Sequence, residues 1–273
     1  MLFRSVDKDY AAFGELAFDI TDNVTLTAGG RLFKYDNTLI GFFGFGRDPA
    51  FNQITQLVPP NAAWSTRTGV AGCFTQNGVR LRAAQLAGQA NTTLVPAAVS
   101  GSPCTNLNKV TSDSDSIHKL NLTYKFNDDA LVYATWSRGF RPGGINRRGN
   151  LPPYGPDQLD NYEFGWKTQF GPIRFNGAIY QEDWNDIQLS FLGQSGLTEI
   201  RNAGVARIRG VEADLGYRAG GLSLSLSGSY NDATIRKDFC KTANAAFDCT
   251  TPGNSLLARA GTRRLPDQRV AEL

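Results

Sequence analysis

Polar and apolar residues alternate with a period of two along most of this chain. In Tyr162-Glu163-Phe164-Gly165-Trp166-Lys167-Thr168-Gln169-Phe170 the even positions are apolar or Thr, and the odd ones are polar or Gly. After Gly171-Pro172 the apolar set moves to odd positions: Ile173, Phe175, Gly177 and Ile179, then Ile187, Leu189 and Phe191. Val211, Ala213, Leu215 and Tyr217 alternate with Gly210, Glu212, Asp214 and Gly216. Beyond Gly220-Gly221, Leu222, Leu224, Leu226, Gly228 and Tyr230 alternate with serines. Tyr10 to Ile20 and Val24 to Leu32 behave the same way on either side of Thr21-Asp22-Asn23. A period of two sends successive side chains to opposite faces, so these segments are strands with one apolar face and one wet face. A helical period of 3.6 fits none of them.

The connections sort by length. Those near 21–23, 127–129, 171–172 and 219–221 are tight and built from Asp, Asn, Gly or Pro, as hairpin turns require. The others, about 41–112, 142–157, 193–198 and 237–265, are longer, and the two kinds alternate without a break. A soluble sandwich has no reason to sort its loops by end, whereas an outer-membrane barrel has short periplasmic turns and longer extracellular loops. Many of the strands exceed the five or six residues usual in globular sheets, and a tilted membrane strand needs about 9–11. The pattern therefore predicts an all-β fold: an antiparallel up-and-down transmembrane β-barrel, here partial, with about nine or ten strands. Two rivals share much of the pattern. One is a self-contained small porin-like barrel, and the other is a secreted carbohydrate-binding β-sandwich.

The polar faces carry Glu15, Asp19, Arg31, Asn121, Lys125, Glu163, Lys167, Arg174, Glu182, Glu212 and Asp214, which a barrel would turn toward a watery or plugged lumen. Trp136, Trp166, Trp184, Tyr10, Tyr162 and Tyr217 could supply interfacial aromatic girdles, or ordinary packing. Mean hydropathy is −0.30, and no run of 18 apolar residues exists for a transmembrane helix. That value suits a soluble protein or a barrel, because only every second barrel side chain meets lipid. The net charge of +3 gives no case for a nucleic-acid partner. The long connections lean basic, with Arg47, Arg67, Arg80, Arg82 and Lys109 in the first, and Lys237, Lys241, Arg259, Arg263 and Arg264 in the last. That charge either attracts an anionic ligand or lipopolysaccharide phosphates, or only keeps the loops solvated.

Catalytic parts are scarce. The one histidine, His118, lies in an alternating segment, which rules out multi-His metal sites. No Gly-x-Ser-x-Gly elbow or Walker loop occurs, and Gly41-Phe42-Phe43-Gly44-Phe45-Gly46 lacks the third glycine of the Gly-x-Gly-x-x-Gly spacing and a following helix pattern. Asp113 and Asp115 lack the Gly and Glu of a calcium loop. No enzyme activity, metal or cofactor is expected.

Tyr133-Ala134-Thr135-Trp136-Ser137-Arg138-Gly139-Phe140-Arg141-Pro142-Gly143-Gly144-Ile145-Asn146 closely resembles the signature of the TonB-dependent receptor family, with Ser137 to Gly144 as its most specific part. Asn161-Tyr162-Glu163-Phe164-Gly165-Trp166-Lys167 resembles that family's next strand. Tyr180 through Gln188, and Asn202-Ala203-Gly204 to Gly210-Val211-Glu212, resemble the two after it. The resemblance runs collinearly over about 1–236. It implies a bacterial outer-membrane barrel of 22 strands with an N-terminal plug, importing a scarce solute such as a ferric siderophore. Energy would come from the TonB–ExbB–ExbD complex, and outer-membrane lipid and lipopolysaccharide would surround the wall. Residues 1–273 then correspond to a partial barrel domain, with signal peptide, TonB box, plug domain and terminal aromatic strand not found in this sequence. Arg141, Asn146, Arg147 and Arg148, near the extracellular mouth on this reading, are the candidates for solute contact.

Four cysteines complete the inventory. Cys240 and Cys249 flank a short Asn/Ala/Asp-rich stretch, and Cys73 and Cys104 flank a longer one, with no Cys-x-x-Cys. An even count in loop-like sequence favours disulfides over free thiols, and hence an oxidising compartment. Locality pairs Cys240 with Cys249 and Cys73 with Cys104, for roughly 2.5 and 3.5 kcal/mol respectively on a chain-entropy estimate. Non-reducing peptide mapping should recover these two pairs, and a cross-linked peptide joining Cys104 to Cys240 or Cys249 would reject the assignment.

Overall fold

A computed structural model describes residues 2–43, 76, 93, 95–102, 104–147, 151–192, 198–202, 204–240, 256–258 and 260–261. The regular elements among them are all strands. They are β1 (Leu2–Thr21), β2 (Val24–Phe42), β3 (Leu107–Asn127), β4 (Ala130–Arg141), β5 (Asp157–Phe170), β6 (Ile173–Asn185), β7 (Gln188–Leu192), β8 (Thr198–Asn202), β9 (Ala206–Ala219), β10 (Leu222–Ile235), β11 (Phe239–Cys240) and β12 (Leu256–Ala258). One eight-stranded sheet runs in the order β1-β2-β3-β4-β5-β6-β9-β10, antiparallel throughout. β7 pairs with β8 and β11 with β12 as separate two-stranded sheets.

The main sheet thus holds eight strands where nine or ten were expected. The difference arises after β6. The alternation that continues to Phe191 in the sequence leaves the sheet at Asn185, because Asp186 takes a left-handed φ of 52°, which Asp tolerates better than most residues. The chain then forms the β7–β8 hairpin before returning as β9.

The tight turns at 22–23, 128–129, 171–172 and 220–221 all lie at one end of the sheet, and the strands enter and leave the long connections 43–106, 142–156 and 186–205 at the other. Gly171, Gly220 and Gly221 adopt positive φ (56°, 55° and 81°), the backbone such turns need. Among the described residues β1 pairs only with β2 and β10 only with β9, so the sheet is an open wall.

Toward the loop end this wall divides. β2 and β3 stay paired up to Gly41↔Leu107, and β4 and β5 up to Arg141↔Asp157. β3 and β4, in contrast, pair only from Asn127↔Ala130 to Lys119↔Ser137. Above that level side chains close the gap. Phe33 stacks on Phe140 with ring centroids 3.6 Å apart. The Gln158 amide donates to the Asp115 carboxylate. The backbone N–H of Gly143 donates to the Tyr35 hydroxyl at 2.9 Å.

Burial follows the same division. Apart from Ala178, the buried apolar residues, among them Phe33, Tyr35, Leu39, Leu107, Ile187, Leu189, Ala206 and Phe239, gather at the loop end. Toward the turns the apolar face is bare. On β10, Leu222, Leu224, Leu226 and Tyr230 are 52, 57, 70 and 65% exposed. The same face bears the stacked Trp136 and Tyr162, centroids 6.5 Å apart, with His118 edge-on to Trp136. A protein in water would not leave such a continuous apolar surface uncovered, and acyl chains are the covering that suits it. On the opposite face polar groups pair, as in Tyr133 to Glu163 (2.6 Å) and Lys119 to Glu15 (3.0 Å).

Cys104 and Cys240 are both disulfide-bonded. Cys73 and Cys249 lie outside the described residues.

Placing Arg at Leu224, on the lipid face, should cost about 2–4 kcal/mol, while Arg at Ser225 should cost little. Refolding into lipid vesicles monitored by heat-shifted electrophoretic mobility measures both, and equal tolerance would contradict a transmembrane β10.

Candidate functional site

The loop end is where charge, burial and irregular backbone meet. Arg141 closes β4 directly opposite Asp157, which opens β5. Asp157 is 1% exposed, and a carboxylate so buried needs a full set of donors. It receives the Arg141 guanidinium, with Nε 3.0 Å from both oxygens, the indole N–H of Trp184 at 3.0 Å, and the backbone N–H of Gln188 at 3.1 Å. Arg141 also lies over the Trp184 ring, 5.0 Å from its centroid, and donates to the carbonyl of Gln188 at 3.2 Å. Asp157 therefore ties together β4, β5, β6 and the start of β7.

One level nearer the membrane, Asp160 and Asp183 stand opposite each other on β5 and β6. Like charges at such a position repel, and each is answered by its own arginine. Arg138 forks onto Asp160 at 2.7 and 2.9 Å, and Arg207 onto Asp183 at 2.6 and 3.2 Å. These planar two-point contacts are the strong form of the ion pair.

The signature stretch explains itself here. Ser137 is the last residue at which β4 pairs with β3, Arg138 holds Asp160, Phe140 stacks on Phe33, and Arg141 holds Asp157. Nothing lies within 4 Å of a Cβ built on Gly139. The Pro142 carbonyl accepts from the Gln188 amide at 2.9 Å. A Cβ on Gly143 would come within 2.6 Å of the Tyr154 carbonyl oxygen, so this position requires a bare backbone. Gly144 and Tyr154 then form an isolated antiparallel bridge, with N–O distances of 3.0 and 2.9 Å.

Three asparagines fasten the loop end in the same manner. Each presents its amide oxygen to a backbone N–H and its amide nitrogen to a carbonyl of the same residue. Asn106 does so with Phe43 (2.9 and 3.0 Å), Asn146 with Ile200 (2.9 and 2.8 Å), and Asn202 with Gly155 (2.7 and 3.0 Å). Above the membrane level, Lys109 donates to the carbonyls of Asn146 (2.8 Å) and Leu151 (2.5 Å), and its partial burial lowers its pKa to about 8. Burial, and then the neighbouring Asp157, push the Asp186 carboxyl up.

Of the residues singled out for solute contact, Arg141 and Asn146 are thus engaged with the protein itself. Arg147 is exposed, its guanidinium 5.8 Å from the Phe3 ring centroid, and Arg148 lies outside the described residues. The sequence reading missed Asp157, Asn202, Tyr35 and Tyr154. The β4–β5 register would have revealed Asp157 as the partner of Arg141, but a 15-residue connection hides that register. On the polar face a concavity of about 590 Å³ is lined by Tyr133, Lys167, Asn176, Glu212, Asp214 and Ser229 among others. Among the described residues no cluster of His, Cys, Asp or Glu could hold a metal.

An open antiparallel wall with an apolar outer surface, a polar inner one and all long connections at one end defines a segment of outer-membrane β-barrel. The family model described as TonB dependent receptor-like, beta-barrel matches residues 3–267, and the chain belongs to that family. Its members are outer-membrane proteins of Gram-negative bacteria and act as transporters rather than enzymes. The ferric yersiniabactin uptake receptor FyuA from Yersinia pestis shares 19% identity at a TM-score of 0.54, over 85% of this chain and 27% of that one. The ferric-catecholate import receptor Fiu from K12 E. coli shares 17% at 0.52, over 88% and 30%. The siderophore receptor PiuA from Acinetobacter baumannii shares 11% at 0.52, over 91% and 28%. The chain therefore spans less than a third of the length of these structures, and the likeness is one of fold.

Replacing Asp157 with Ala strands the Trp184 and Gln188 N–H groups and leaves Arg141 without its carboxylate. The expected cost is about 3–5 kcal/mol. Arg141→Ala should cost about 1–2 kcal/mol, because its side chain is half exposed and Asp157 keeps its other donors. Urea unfolding in lipid vesicles measures both, and equal costs would refute Asp157 as the shared acceptor.

Proposed function

We propose that this chain forms part of the barrel wall of a TonB-dependent outer-membrane uptake receptor for a scarce solute, of which a ferric siderophore is the leading example. The observation that carries the reading is the open eight-stranded wall with its sorted connections, joined to the family match over residues 3–267. FyuA is a ferric yersiniabactin uptake receptor, Fiu a ferric-catecholate import receptor and PiuA a siderophore receptor. In the intact receptor the TonB–ExbB–ExbD complex supplies energy through a plug domain within the barrel. Arg147 and Arg148, with the exposed part of Arg141, contact an anionic solute at the mouth. An open wall is not what a small self-contained porin needs, and a bare apolar face is not what a secreted sandwich needs.

The eight described strands by themselves enclose no lumen, since so few cannot span a barrel built for many more. Residues 1–273 behind a signal peptide, expressed in receptor-deficient cells, should fractionate with the outer membrane. They should take up labelled ferric siderophore no faster than empty cells. Recovery as soluble periplasmic protein would overturn the receptor reading, and energy-dependent uptake would overturn the wall-segment reading.

A further inference from the structure

Two of the three asparagine staples join the same pair of segments, in opposite directions. Asn146, in the 142–156 connection, grips the backbone of Ile200 in β8, and Asn202, at the end of β8, grips the backbone of Gly155 near the far end of that connection. Gln188, at the start of β7, adds a third amide, donating to the carbonyls of Pro142 (2.9 Å) and Gly155 (3.0 Å). The Asn202 amide reaches further, to the carbonyls of Pro156 (3.3 Å) and Asp186 (2.7 Å).

An amide carries an acceptor and a donor at nearly the spacing of a peptide group, so it can pair with a backbone residue as a neighbouring strand would. A side-chain amide thus extends pairing between two segments whose own backbones form no common ladder. Asn146 is 6% exposed, and in such shelter an unmade hydrogen bond costs far more than one lost to water. The same two segments meet again at their roots, where Asp157 receives both Arg141 and the Gln188 N–H.

We infer that residues 142–147 and 151–156 of the long connection and the strands β7 and β8 form one extracellular flap, stapled by Asn146, Asn202 and Gln188 and moving as a single body. A solute that displaces either segment displaces both, so Arg147 on one and Arg201 on the other keep their relative position through any movement of the mouth. The receptor reading supplies only the side of the membrane on which the flap sits. The coupling itself does not depend on it.

Hydrogen exchange followed by mass spectrometry on the full chain in outer-membrane fragments, without solute, tests the coupling separately from uptake. Asn146→Ala should accelerate exchange about tenfold in peptides from both 142–156 and 188–202, and Asn202→Ala should do the same. Asn146→Asp keeps the size and the acceptor but sets an oxygen against the Ile200 carbonyl. It should give the same two-segment pattern, and it covers the case in which truncation disturbs insertion. Asn106→Ala, whose staple lies elsewhere, should leave both segments unchanged. Acceleration confined to the segment that carries the substitution would overturn the inference, and so would loosening of both segments by Asn106→Ala.

Discussion

A sheet one layer thick cannot bury its own apolar face. Everything else in this molecule follows from that constraint. In water an uncovered surface such as that of β10 would drive collapse or aggregation. In a bilayer it is the required solvent contact, and the obligation shifts to the backbone, which must pair with neighbouring strands because lipid offers no hydrogen bonds. The register accordingly runs almost unbroken along each pair in the turn-proximal half, with shifts only beside the turns at 19–21 and 125–127.

Where the strands rise beyond the apolar belt the logic reverses. Water is again available to the backbone, β3 and β4 part company, and folding there relies on side chains. The two small hydrophobic clusters, the Asp157 junction and the asparagine staples all occupy this upper region. The molecule is thus stabilised by two separate means, lipid contact and pairing below, and ordinary globular packing above. The signature stretch sits at their junction, which accounts for its mixed composition of arginines, glycines and an aromatic ring.

What could be read from the sequence divides along the same line. Leu222 to Tyr230 announced their faces because a period of two is a local property, and Gly220-Gly221 announced their turn for the same reason. The connection expected at 142–157 appears at 142–156. Above the belt, contacts join residues far apart in the chain, and no local pattern encodes them. Asn146 lies in a polar run beside two arginines and so looked like a residue facing solute, yet its amide is spent on a backbone 54 residues away. Asp157 looked like a loop residue because its partner is set by pairing across a long connection. The departure of β7 from the sheet turns on one backbone angle at Asp186, and the apolar alternation on either side of it gives no sign.

The direction of the edge strands carries one further consequence. β1 runs from the loop end to the turn end and β10 runs back, because eight antiparallel strands begin and finish at the same rim. Any set of strands that completes such a wall must itself leave from and return to that rim, and so must be even in number. A wall of this kind can be lengthened or shortened only in whole hairpins. A single inserted or deleted strand would set two neighbours parallel and put every later loop on the wrong side of the membrane. The hairpin, and not the strand, is therefore the unit by which such a barrel can change size without losing its sidedness.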